Sequence, residues 1–225
     1  MKKATLLLFA LILLSGTFSA TAQETTSPWT VSADFFNRYN WRGTDYGNAP
    51  VIQPTIKYST GGFSIGAWGS YSLGNSSAAE AGSYASEADL FASYSFKSGT
   101  SLVVNDYYFP TEPGSFGNYF DFDDYHVFEV GLSQTIGKFS ISGYYYLNAN
   151  SDLYFEAAYA TKYVNLFAGA GNESYTSDGD FNFCNVGLSA TKTINITDKF
   201  SLPLIGKVIV NPDKEQIYLV VGFTL

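Results

Sequence analysis

The chain has 225 residues, with 3 Trp, 18 Tyr, 19 Phe and 21 Gly, and only 14% of its residues are charged. A net charge of −8 makes nucleic acid or an anionic surface a poor partner for the chain as a whole. A single cysteine excludes an internal disulfide framework. So little charge is unusual for an exported soluble domain.

Lys2 and Lys3, the uncharged run Leu6 to Leu14, and Ala20-Thr21-Ala22 read as a secretory signal peptide over 1–22, cleaved before Gln23. The apolar run is too short to cross a bilayer as a helix, which takes roughly 20 residues. The expected mature chain, 225 − 22 = 203 residues, forms one domain over 23–225 and carries 10 basic against 20 acidic groups, near −10. Its apolar runs are short, as in Leu219-Val220-Val221, which excludes a bundle of membrane helices. A transmembrane β-barrel fits, because its lipid face uses only every second residue.

Period-two alternation runs through the mature chain. Trp29, Val31, Ala33 and Phe35 oppose Thr30, Ser32, Asp34 and Arg38. Phe63, Ile65, Ala67 and Tyr71 oppose Ser64, Gly66, Ser70 and Ser72. In the last segment Ile217, Leu219, Val221, Phe223 and Leu225 oppose Gln216, Tyr218, Val220, Gly222 and Thr224. With turn residues as boundaries, the pattern predicts twelve antiparallel strands, with ten as the alternative count. They are placed at 29–42, 50–59, 63–73, 84–96, 100–110, 125–136, 138–148, 152–162, 163–172, 181–194, 199–210 and 215–225.

Links after even-numbered strands are tight, as at Thr60-Gly61-Gly62, Lys97-Ser98-Gly99 and Gly137-Lys138. Links after odd-numbered strands run longer on average, which is the periplasmic-turn, outer-loop contrast of an up-and-down barrel. Closure would pair the strand near Trp29 with the one ending at Leu225, leaving no open edge. Aromatics near strand ends (Trp29, Trp41, Tyr58, Phe63, Tyr94, Phe96, Tyr107, Phe109, Phe200) read as interfacial girdles.

Several strings carry a family likeness: Arg38-Tyr39-Asn40-Trp41-Arg42-Gly43, Pro50-Val51-Ile52-Gln53-Pro54, Gly62-Phe63, Trp68-Gly69-Ser70, Asp106-Tyr107-Tyr108-Phe109-Pro110 and Asn211-Pro212. They resemble the TorF-type porins, most sharply over 34–70. The resemblance implies an outer-membrane barrel that passes a solute. The final strand is similar to the signal read by the barrel-insertion machinery, though it ends in Leu225 where an aromatic is usual.

Following the alternation inward places Asp34, Arg38, Arg42, Lys57, Glu87, Asp89, Glu129, Glu156 and Lys207 on the lumen side, since charge is costly on a lipid face. Two readings fit: a constriction that selects small hydrophilic solutes, or paired ions filling a narrow, non-conducting structural or surface-binding barrel. Arg38 and Arg42, four apart on one predicted strand, form either a ladder opposite Glu87 and Asp89 or ion pairs in the wall. Asp121, Asp123 and Asp124 head an acidic set of outer loops (with Glu80, Glu112, Glu173, Asp178 and Asp180) that would bias the mouth toward cations.

An outer-membrane enzyme ranks third. His126 is the only histidine, and Ser133 on the same strand has opposite parity, so the pair a nucleophilic mechanism needs is not apparent. Cys184 shares parity with Val186 and Leu188 and reads as an inert wall residue. No cofactor motif or metal-ligand cluster is present.

Overall fold

The computed structural model describes residues 27–74, 86–110 and 117–225. The expected signal peptide, Glu80, Glu112 and parts of two outer loops lie outside the described residues. Twelve antiparallel strands close into a barrel: β1 (Trp29–Phe36), β4 (Val51–Thr60), β5 (Phe63–Ser72), β6 (Ser86–Ser95), β7 (Thr100–Tyr108), β8 (His126–Ile136), β9 (Phe139–Tyr146), β10 (Leu153–Ala160), β11 (Asn165–Gly171), β12 (Asn182–Thr197), β13 (Phe200–Asn211) and β14 (Gln216–Thr224). The intervening β2 (Asn40–Trp41) and β3 (Thr44–Asp45) form a separate two-stranded hairpin. The one α-helix among the described residues is a single turn, Phe122–Tyr125.

The first and last wall strands close the ring with Asp34 opposite Thr224 and Phe35 opposite Phe223. The Ala33 and Leu225 backbones exchange N–H···O bonds of 3.0 and 2.9 Å. The seam is short, joining residues 33–37 to residues 221–225. At one end the chain reverses in tight turns, helped by Gly61, Gly62, Gly99 and Gly137 at positive φ. This turn end also holds residue 27 and Leu225. The longer loops gather at the other, loop end.

Alternation sorts the wall as expected. Val31, Ile56, Ile65, Leu90, Val104, Leu132, Leu219 and Val221 point outward and are exposed, while Ser64, Ser70, Glu87, Asp89, Ser133 and Lys207 are buried inward. The β4–β5 ladder lapses around Gln53–Pro54, where proline has no N–H to donate. There the Gln53 amide reaches across to Ser70 Oγ at 3.2 Å.

Three features depart from the sequence reading. The predicted strand 29–42 leaves the wall after Phe36. The Asn37 side chain takes over the pairing, donating to the Leu219 carbonyl (3.1 Å) and accepting from the Val221 N–H (2.9 Å), and the chain then turns into the lumen. β12 runs longer than expected, and residues 190–203 pair only with each other past the last β11 and β14 partners. The β11–β12 register skips Cys184, a bulge that changes the parity of β12. Cys184 is therefore fully buried in the interior cluster and does not share the outward face of Leu188.

Candidate functional site

The hairpin β2–β3 stands inside the barrel near its loop end. Its two-residue turn, Arg42-Gly43, has φ of 50° and 82°, the doubly left-handed pattern of a tight hairpin turn. Glycine is required at 43 on two counts. An L side chain rarely adopts this φ, and an added Cβ would overlap the Cys184 backbone carbonyl. The Asn211 amide donates to the Gly43 carbonyl at 3.1 Å, so the hairpin tip is pinned to the β12 bulge and to the end of β13.

Arg42, 5% exposed, carries the main polar contact between hairpin and wall. Its two terminal nitrogens donate to the two Glu129 oxygens at 2.5 and 3.1 Å, and one also reaches Tyr175 Oη at 2.6 Å. Trp41, Tyr144 and Tyr154 place their rings 4.2, 4.1 and 4.7 Å from the guanidinium carbon, within cation–π range. Glu129, with no exposed side-chain surface, also accepts from Asn105 Nδ2 (3.0 Å) and Tyr107 Oη (2.8 Å). Desolvation is the largest single influence and opposes the Arg42 charge, but the Glu129 carboxylate and the surrounding tyrosines together leave the guanidinium pKa raised. Two buried ions are tolerable here because both are nearly saturated with hydrogen bonds.

The other candidates occupy separate places. Arg38 pairs with Asp45 at 3.1 Å within the hairpin and donates to Asn48 Oδ1 at 2.7 Å. The expected common face for Arg38 and Arg42 does not form, because the chain has left the strand geometry that would create it. Neither arginine pairs with Glu87 or Asp89. These two acids are buried inward on β6, Tyr39 hydrogen-bonds Glu87, and one Asp89 oxygen has no partner among the described residues.

Asp34 accepts from Thr224 Oγ1 at 2.5 Å. Lys57 and Lys207 are buried inward, with Lys207 Nζ 4.9 Å from the Phe36 ring. Glu156 accepts from Tyr154 Oη (2.6 Å) and Asn185 Nδ2 (3.0 Å).

Against the hairpin and below it, Trp68, Phe91, Tyr144, Tyr154 and Phe167 project inward and are buried, beside a shell of Ser93, Ser101, Ser133, Ser140, Ser142 and Ser189. This section of the interior is packed with side chains. Trp41 and Tyr107, read from sequence as girdle residues, lie in the lumen with rings 5.7 Å apart. Asn105, Tyr144, Tyr154, Tyr175 and Asn185 were not singled out from sequence. Parity alone could have found Asn105, Tyr144 and Tyr154, which share faces with buried residues of their own strands.

Asp121, Asp123 and Asp124 are exposed at the loop end. Phe122 between them packs on His126 and Phe128, rings 4.7 and 6.3 Å away, on the outer side of the rim. His126 lies between Asp106 Oδ1 and the Tyr119 carbonyl oxygen, each 2.7 Å from a ring nitrogen. Ser133 is on the opposite face of β8. Among the described residues no group of three or more His, Cys, Asp or Glu could hold a metal ion.

The net charge conceals a separation along the barrel axis. Four of the five tight turns carry a lysine (Lys97, Lys138, Lys162, Lys199) against the single side-chain acid Asp198, whereas Asp45, Asp121, Asp123, Asp124, Asp152, Glu173, Asp178, Asp180, Asp213 and Glu215 collect at the loop end and outnumber Arg38, Arg42 and Lys214 there. Asp213 ties two loops together there, accepting from the Ser177 hydroxyl (2.8 Å) and N–H (2.7 Å). The Ser177 hydroxyl is the main reason its carboxyl titrates below the usual range.

No match to the chain was found among curated proteins. A family model described as a bacterial protein of unknown function, Gcw_chp, matches residues 22–201, which takes in the hairpin, Glu129, the interior aromatics and eleven of the twelve wall strands in whole or part. The chain therefore belongs to the Gcw_chp family of bacterial proteins.

Proposed function

We propose that the chain is an outer-membrane β-barrel, exported on a cleaved 1–22 leader, that provides a porin-like passage for small hydrophilic solutes or ions. In the conformation described, its own 37–46 hairpin closes that passage. The observation that carries the reading is the Arg42–Glu129 contact inside a closed barrel with an apolar outer face. The closing element is an inserted segment distinct from the wall, held by one ion pair, a few hydrogen bonds and the packing of Tyr39 and Trp41 on Trp68, Tyr107 and Tyr175. Plugs of this kind occupy the interior of many transmembrane barrels. The acidic loop end supplies a bias toward cations.

Single-channel recording in planar bilayers tests this. The wild-type protein is expected to be mostly closed, with rare small openings. Gly43→Ala forces the hairpin tip away from the Cys184 carbonyl and is expected to open the passage more often. A second reading, a permanently filled barrel acting structurally or as a surface-binding protein, draws on the wall's own Trp68, Phe91, Tyr144, Tyr154 and Phe167. Silence from both proteins across many insertions would favour it over the passage.

Orientation has its own test. An epitope inserted at 148–150 is expected to be reached by antibody on intact cells, and one at 98–99 only after the outer membrane is permeabilised. The reverse pattern would invert the barrel.

A further inference from the structure

We infer that the outer wall carries a binding groove for one anionic phospholipid, an inference that rests on the membrane reading above. The first observation is a concavity of about 840 Å³ across the outer side of β7 to β12, within the roughly 300–1,000 Å³ typical of ligand pockets. Its floor is made of small residues on neighbouring strands: Gly143 on β9, Ala157 on β10, and Ala168 and Ala170 on β11. Leu132 and Phe183, each about half exposed, stand as the two banks. The Phe155 ring lies across Gly143, where a Cβ would come within 2.8 Å of it. The result is a narrow apolar channel, shaped for a hydrocarbon chain.

The second observation selects the headgroup. Ile141 and Ala157 pair at the lower end of the channel, and the next outward pair, Phe139 and Tyr159, is half exposed like an interfacial girdle. Immediately beyond it lie Lys138 and Lys162 in adjacent turns, both exposed. Those turns abut, because the Ala160 N–H donates to the Lys138 carbonyl at 2.8 Å. A chain lying in the groove therefore brings a phosphate between two ammonium groups, on the one end of the barrel where cations outnumber acids. A phosphodiester without a compensating cation fits this charge, and a zwitterionic headgroup fits it less well.

A second copy of the chain is a poorer occupant. A two-fold axis would set this concave face against itself, with no ridge to fill it.

The test is native mass spectrometry of the folded protein released from detergent after equilibration with phosphatidylglycerol or phosphatidylcholine of identical acyl chains. One retained phosphatidylglycerol per barrel is expected, at roughly 10- to 30-fold greater occupancy than phosphatidylcholine, as two interfacial lysines would give. Lys138→Gln with Lys162→Gln is expected to abolish the preference while keeping weak retention of both lipids. Ala168→Phe fills the channel floor and is expected to remove both. Its folding is checked by the shift between unheated and heated protein on a gel, and Ala157→Leu replaces it if that shift is lost.

Equal retention of the two lipids by the wild type, retention untouched by filling the channel, or a dimer in place of the lipid adduct would each overturn the groove. A protein that stays soluble without detergent would instead overturn the membrane reading on which it rests.

Discussion

Arg42→Met is expected to destabilise the folded barrel by about 3–5 kcal/mol, the range for removing one partner from a buried ion pair. Methionine keeps the length and apolar character of the side chain, so packing under Trp41, Tyr144 and Tyr154 changes little. What changes is Glu129, left buried with only Asn105 and Tyr107 as donors. The barrel can relax by expelling the hairpin and admitting water to Glu129. The single variant should therefore show both a lower unfolding midpoint in urea and more frequent channel opening.

Pairing Arg42→Met with Glu129→Met removes both charges. It is expected to recover most of the lost stability, because apolar replacement of a whole buried pair is often neutral. The double-mutant cycle then reports the coupling directly. A single variant within about 0.5 kcal/mol of wild type, the usual effect of an inconsequential surface change, would mean that the Arg42–Glu129 contact does not hold the hairpin.

The wall was legible in the sequence because a sheet with one wet and one apolar side writes its facing into alternate residues. The inward placement of Lys57, Glu87, Asp89, Glu129, Glu156 and Lys207 follows from parity alone. The lumen hairpin was not legible for two physical reasons. Alternation continues through Arg38 and Asn40 with no proline or glycine before Gly43, so nothing local announces the departure at Asn37. The departure depends instead on Asn37 finding the Leu219 and Val221 backbones, 182 and 184 positions away.

The Arg42–Glu129 pair is likewise a contact between residues 87 apart, on elements that are not neighbours in the sheet. The Cys184 bulge sits in the unbroken run Asn182 to Leu188, where one extra residue inverts parity without changing composition. Girdle and plug aromatics share one chemistry, so Trp41 and Tyr107 could be sorted only once the hairpin's path was known.

Val104→Arg is expected to cost about 2–4 kcal/mol in a lipid bilayer, the penalty for a cationic side chain near the midplane of a transmembrane barrel. Val104 is the middle residue of β7, points outward, and is 49% exposed, flanked across the ladder by Ala92 and Val130. Toward the turn end the next outward residue is Leu102, and toward the loop end Asp106, paired with His126 at 2.7 Å, marks the upper limit of the apolar band. Tyr163→Arg is the matched control. Tyr163 is also on the outside and is 76% exposed, but it lies in the turn beside Lys162, at the depth where the same penalty falls to about 0–1 kcal/mol.

The contrast between the two sites is what separates a membrane wall from a wetted one. In water, both positions would accept arginine with changes near 0.5 kcal/mol or less, because an exposed valine leaves little packing to lose. The measurement is equilibrium unfolding in urea from phospholipid vesicles, followed by tryptophan fluorescence, with both variants compared to wild type. A difference of at least about 2 kcal/mol between the two places Val104 in hydrocarbon. Equal, small effects at both sites would mean that the apolar band faces something other than a bilayer, and would take the outer-membrane assignment down with it.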